Sequence, residues 1–203
     1  MNKLLTGCCF TWLFLLLSPV HAAVLNFQFT GTVTQVPLDE AFGDIAIGDG
    51  IQGGFSFDTS ATDLIPGDPA TGSFQFGPPF GMAFTVGTHQ FTTSGSLNIG
   101  VLNSFVDQFT VLGTSASGDL SLELFLQDNT GTVFSNDHLP VTALPLGSFA
   151  QRDFHLNAVF AGGQVQIDGQ INATSATTVP EPGSTVAIPA GLILLALTRR
   201  KRP

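Results

Sequence analysis

The chain has 203 residues, no tyrosine, two cysteines and a formal net charge of −9. Fourteen of its 15 acidic side chains lie between residues 23 and 178 against a single base, Arg152, so that stretch stands at −13. It has no Lys and Arg surface with which to neutralise phosphates, which excludes nucleic acid as a partner. With both cysteines at Cys8 and Cys9, disulfide scaffolds and thiolate metal sites are excluded from the same stretch.

In chain order, Lys3 supplies a positive charge ahead of an apolar run from Leu4 to Leu17. Val20, His21 and Ala22 follow, with small residues at the minus-three and minus-one positions of a signal peptidase site. Residues 1–22 are therefore expected to be a signal peptide cut between Ala22 and Ala23. The apolar run is shorter than the roughly 20 residues a stable membrane span requires.

Residues 23–171 read as one all-β domain. Leu25, Phe27 and Phe29 alternate with Asn26, Gln28 and Thr30, and Leu120, Leu122, Leu124 and Leu126 alternate with Ser121, Glu123 and Phe125. Phe154, Leu156 and Ala158 form a third set, and Val165, Ile167 and Gly169 begin a fourth. Period two with one apolar face is the mark of antiparallel sheets buried on one side. Further strands are expected at 51–58, 72–76, 82–86, 90–93, 96–101 and 105–111, separated by Gly-, Pro- and Asp-rich turns. No stretch holds a helical period for three turns. About ten short strands in one domain predict an antiparallel β-sandwich, jelly-roll-like or related.

Residues 172–178, Asn-Ala-Thr-Ser-Ala-Thr-Thr, are small and polar and read as a flexible linker that continues to Pro182. Residues 183–198 are uncharged and mostly apolar, and Arg199, Arg200, Lys201 and Arg202 follow at once. That pattern predicts a short transmembrane helix of about 24 Å with a basic cytoplasmic stop.

Val179, Pro180, Glu181 and Pro182, then an apolar segment, then a terminal basic cluster, resemble the PEP-CTERM sorting signal of bacterial surface proteins. The resemblance implies a Gram-negative bacterium and recognition of Pro180, Glu181 and Pro182 by an exosortase-type protease, with signal peptidase acting at the other end. It also implies a route: transient residence in the inner membrane as a precursor, then the cell surface or an extracellular matrix that often contains exopolysaccharide. The runs at 27–33, 54–58 and 131–137 are similar to a loosely defined group of such proteins, which implies a shared β fold and no established activity.

Candidate chemistry is sparse. Asp39, Glu40, Asp44 and Asp49 gather hard oxygen ligands in a Gly-containing segment that could hold calcium, the only cofactor the sequence suggests. Asp63 with Asp68, and Asp128 with Asn129 and Asp137, are weaker sets of the same kind. Glu123 is the only glutamate on an expected strand and has no visible partner for glycosidase chemistry. His89, His138 and His155 share no ligand spacing, and there is no HExxH or GxSxG motif. The expected function is that of a non-enzymatic exported protein of the cell surface or extracellular matrix. The alternative is a carbohydrate-binding module, with Phe42, Phe80 and Phe134 as the aromatics nearest loops.

Overall fold

The structure, a computed structural model, describes residues 23–36, 43–160 and 163–179. Ten strands follow in chain order: β1 Val24–Gln35, β2 Gly50–Asp58, β3 Thr71–Phe76, β4 Met82–Val86, β5 His89–Thr92, β6 Ser96–Asn103, β7 Asp107–Thr114, β8 Leu120–Asp128, β9 Gln151–Phe160 and β10 Gly163–Val179. The helical content among the described residues is one short 3-10 turn at Leu146–Ser148.

All ten strands belong to one antiparallel sheet in the order β3-β6-β7-β8-β9-β10-β1-β2-β4-β5. This corrects the expected two-sheet sandwich: the ladder never breaks, because β1 pairs with both β10 and β2, and β10 pairs with β9. The sheet is instead strongly curled into a half-barrel. Side-chain contacts measure the curl. Phe57 on β2 and Phe76 on β3 have ring centroids 6.0 Å apart, although seven strand spacings separate them along the ladder, about 33 Å if the sheet were flat. Phe84 on β4 and Phe154 on β9, four spacings apart, meet edge to face at 4.7 Å.

The connections require the same curvature. β5 joins β6 through residues 93–95 alone, from one end of the sheet to the second strand of the other. Three residues reach about 10 Å, against about 38 Å across a flat sheet. The driving force is the inner face. Phe27, Phe29, Phe55, Phe57, Phe74, Phe84, Phe109 and Phe154 are buried there with a Leu/Ile/Val set, and with no helix layer among the described residues the sheet covers this face with itself. Register shifts between Thr30 and Gly31 and between Val33 and Gln35 in the β1–β10 pairing add local bend and twist to the two longest strands. Gly53 leaves room between the rings of its two cross-strand partners, since a Cβ there would lie 2.5 Å from Phe84 Cβ and 2.6 Å from Phe29 Cζ.

The alternations at Leu25, Phe27 and Phe29, at Leu122, Leu124 and Leu126, and at Phe154, Leu156 and Ala158 all point inward. Two strand-level expectations need correction. Residues 172–178 are not a linker: β10 runs through them to Val179, in register with β1 from Ala173 opposite Thr30 to Val179 opposite Val24. These residues bury little, so the backbone ladder, helped by the β-branched threonines, holds them where apolar burial does not. And β7 begins at Asp107, leaving Phe105 in the preceding turn, 85% exposed.

The expected transmembrane helix, and with it the expected precursor held transiently in the inner membrane, is also corrected. Among the described residues no helix is long and apolar enough to cross a membrane. Residues 183–203, where that helix was expected, lie outside the described residues, as do the signal segment 1–22 and the stop cluster Arg199, Arg200, Lys201 and Arg202.

Candidate binding surface

Because side chains alternate across a strand, the curl that buries one set turns the other outward. On β10, β1, β2, β4 and β5 that outward set consists of amides and hydroxyls in cross-strand rows. One row runs Ser175, Gln28, Gly54, Ala83 and Thr92; the next runs Ala173, Thr30, Gln52, Thr85 and Gln90. Gly54 and Ala83 are the low points, and Gln28, Gln52 and Gln90 stand around them. They enclose a shallow trough of about 470 Å³ that is open to solvent. Its outward-facing residues carry no charge and no aromatic ring, whereas each glutamine offers two donors and a carbonyl acceptor. Such a surface can hydrogen-bond a neutral polyhydroxylated ligand.

A second depression continues the trough past Thr30, Gln52 and Thr85 and reaches Asp44 and Asp49. Of the four residues expected to hold calcium, Asp39 and Glu40 lie outside the described residues. Asp44 accepts from His89 Nε2 at 2.7 Å and from the Thr88 hydroxyl at 3.4 Å. The hydrogen bond from His89 holds its carboxyl below the usual value of 3.8. Asp49 accepts from the Ala46 N–H at 2.8 Å. Asp63 accepts from the N–H groups of Ser73 and Ile65, and Asp68 from that of Ala70, so both organise turns. Among the described residues no three His, Cys, Asp or Glu side chains converge as metal ligands.

Two further groupings come from the tertiary structure. Glu123, His155 and Asp168 are cross-strand neighbours on β8, β9 and β10, and His155 Nδ1 lies 2.7 Å from Asp168 Oδ1. That bond orients the imidazole and leaves Nε2 facing away from it. The sequence placed Glu123 and His155 outward but offered no reason to join Asp168 to them.

The second grouping is Asp107 with Asp128, direct cross-strand partners on β7 and β8 and both buried, at 0% and 3% exposure. Asp128 accepts from the N–H and hydroxyl groups of Thr130 and Thr132, and these donors, the Thr132 N–H foremost, hold its carboxyl below 3.8. Asp137, expected beside it, is instead 3.5 Å from His138 Nδ1. Asp107 was missed, although its phase with Phe109 and Val111 places an acid on the apolar face of an expected strand, and that was a usable signal.

Of the expected aromatics, Phe80 packs on Phe76 at 5.5 Å and Phe134 on Phe149 at 6.0 Å, so neither stands free; Phe42 lies outside the described residues. At the domain ends, the Ala23 carbonyl accepts from the Thr59 N–H and hydroxyl. Val179 closes β10 opposite Val24. Ala22, Pro180, Glu181 and Pro182 lie outside the described residues.

Comparison with known proteins supplies no relative: no family model matches the chain, and no curated protein or solved structure matches it significantly.

Proposed function

We propose that the chain is a non-enzymatic exported protein of the cell surface or extracellular matrix, and that its β domain holds neutral polysaccharide along the outer-face trough. The observation that carries this reading is the uncharged amide and hydroxyl lining of Gln28, Thr30, Gln52, Thr85, Gln90 and Ser175 around Gly54 and Ala83. A net charge of −13 on residues 23–178 repels anionic polymers but leaves neutral ones unaffected. Sugar hydroxyls are well matched by side chains that both donate and accept. Without an aromatic platform each contact is weak, so affinity comes from many residues along an extended chain. The export half rests on the sequence at the two ends. β1 and β10 are antiparallel with Val24 opposite Val179, so a cut after Ala22 and one at residues 179–182 would fall at the same corner. Both would leave the ladder whole.

Affinity electrophoresis of the full chain through gels containing neutral glucans, mannans or galactans tests the binding half. Retardation by at least one polymer, weakened about tenfold or more in a Gln28→Ala/Gln52→Ala double variant, is expected. No retardation by any neutral polymer, or retardation unchanged by the double variant, would exclude the trough. Release of reducing ends from the gel polymer would refute the non-enzymatic assignment. For export, the secreted form is expected to begin at Ala23 and to end within residues 179–182 by intact mass, consistent with exosortase-type processing; a secreted form that retains Met1 and Pro203 would contradict it.

A further inference from the structure

Asp107 presents an unsolved polar problem. Its Oδ2 accepts short hydrogen bonds from the N–H groups of Val133 and Phe134, at 2.6 and 2.7 Å, but its Oδ1 is buried without any hydrogen-bond partner. A buried oxygen left unpaired costs about 1–3 kcal/mol, and more when the group is charged. Directly opposite stands Asp128, whose side chain shares the inner face. Cβ atoms of such partners lie about 5 Å apart, and like charges placed so are destabilising. The only Lys or Arg on residues 23–178, Arg152, shares that face opposite Leu126, yet no ion pair joins it to either carboxylate among the described residues.

We propose that Asp107 and Asp128 hold a calcium ion at this end of β7 and β8. The surroundings are oxygen-rich. Thr130 Oγ1 lies 2.8 and 2.7 Å from the two Asp128 oxygens and 2.9 Å from Thr132 Oγ1. A hydroxyl can turn from donating to these carboxylates to offering a lone pair to a cation. Calcium takes six to eight oxygens with flexible geometry, and these groups contain no nitrogen or sulfur ligand that would favour zinc. The loop is also strapped in place. The Asn103 amide, oriented to satisfy both contacts, donates to the Phe134 carbonyl at 3.2 Å and accepts from the Asn136 N–H at 3.1 Å. Gly131, at φ +61°, passes so close to the Ser104 carbonyl that a Cβ would collide with it. An ion here would pin residues 129–137 to the β6–β7 turn that carries exposed Phe105.

The test uses the full chain, stripped with EDTA and titrated with calcium chloride. With calcium at about 100 times its Kd, Tm is expected to rise by about 5 °C or more, and hydrogen exchange at the Val133 and Phe134 amides should slow. Asp107→Asn should lose the Tm shift, whereas Asp44→Asn should keep it. An unchanged wild-type Tm overturns the proposal. So does a shift that survives in Asp107→Asn, or protection confined to residues 43–50. Should Asp107→Asn fail to fold, the exchange measurement on the wild-type chain decides alone.

Discussion

A double-mutant cycle between Phe84 and Phe154 probes the curl of the sheet. The residues sit on β4 and β9, four spacings apart in strand order, and would be about 19 Å apart in a flat sheet. Here their rings meet edge to face at 4.7 Å, and both are buried. Leu replacements preserve an apolar side chain, so each single variant is expected to lose about 1–2 kcal/mol, less than the 3–5 kcal/mol of a Phe→Ala change. The paired rings add about 1 kcal/mol beyond their burial, so Phe84→Leu/Phe154→Leu should be about 1 kcal/mol more stable than the sum of the singles predicts. Urea unfolding must be followed by far-UV circular dichroism, because the chain has no tyrosine and its one tryptophan is Trp12. At an m-value of about 2 kcal/mol/M the coupling moves the midpoint by about 0.5 M. Residues without contact add to within about 0.3–0.5 kcal/mol. Additivity within that range would mean that β4 and β9 do not face each other across the curl.

Truncation after Ile171 removes the eight residues that extend β10 along β1. At about 1 kcal/mol per ladder hydrogen bond the loss approaches the whole stability of a typical domain, about 5–15 kcal/mol, so thermal melts should show an unfolded chain; truncation after Val179 should keep the wild-type Tm. Gly131→Ala combines a positive φ with a collision at the Ser104 carbonyl, whereas Gly118, at φ +78°, has open space around it. The first should cost about 1–3 kcal/mol and the second about 1 kcal/mol, and equal midpoints in urea would remove the loop contact from the account. Asp63, Asp119 and Asp128 are each held below 3.8, by the Ser73 N–H, the Ser117 hydroxyl and the Thr132 N–H foremost. The unfolded chain therefore binds protons first, so their stabilisation is complete above 3.8 and is lost as pH falls through the lower folded values. A Tm that stays level between about pH 5 and pH 2 would contradict these partners.

Much of the fold was legible locally. Period-two alternation marked the inward residues of β1, β8 and β9 correctly, because strand geometry makes the phase of a side chain a local property. Turn residues bracketed β4 at 82–86 without error. Long-range pairing was not legible. Residues 172–178 carry nothing apolar enough to signal a strand; they are ordered because β1, 140 or more residues earlier, offers them a complete set of backbone partners. The same limit governed the site. The expected calcium residues were chosen by nearness in sequence, and Asp44 and Asp49 satisfy themselves on local donors and His89. Asp107 and Asp128 are 21 positions apart and meet only through the register of β7 and β8. The trough depends on five strands lying side by side.

By itself the sequence determined an all-β domain with a Phe-rich inner face, a strongly acidic surface and no thiol chemistry, since composition and alternation act residue by residue. Only the tertiary structure decided that the ten strands form one curled sheet where two separate ones were expected. Sandwich and half-barrel both call for the same period-two alternation of apolar and polar side chains. What separates them is whether β10 and β1 share hydrogen bonds, a choice made by backbone groups that every residue carries alike.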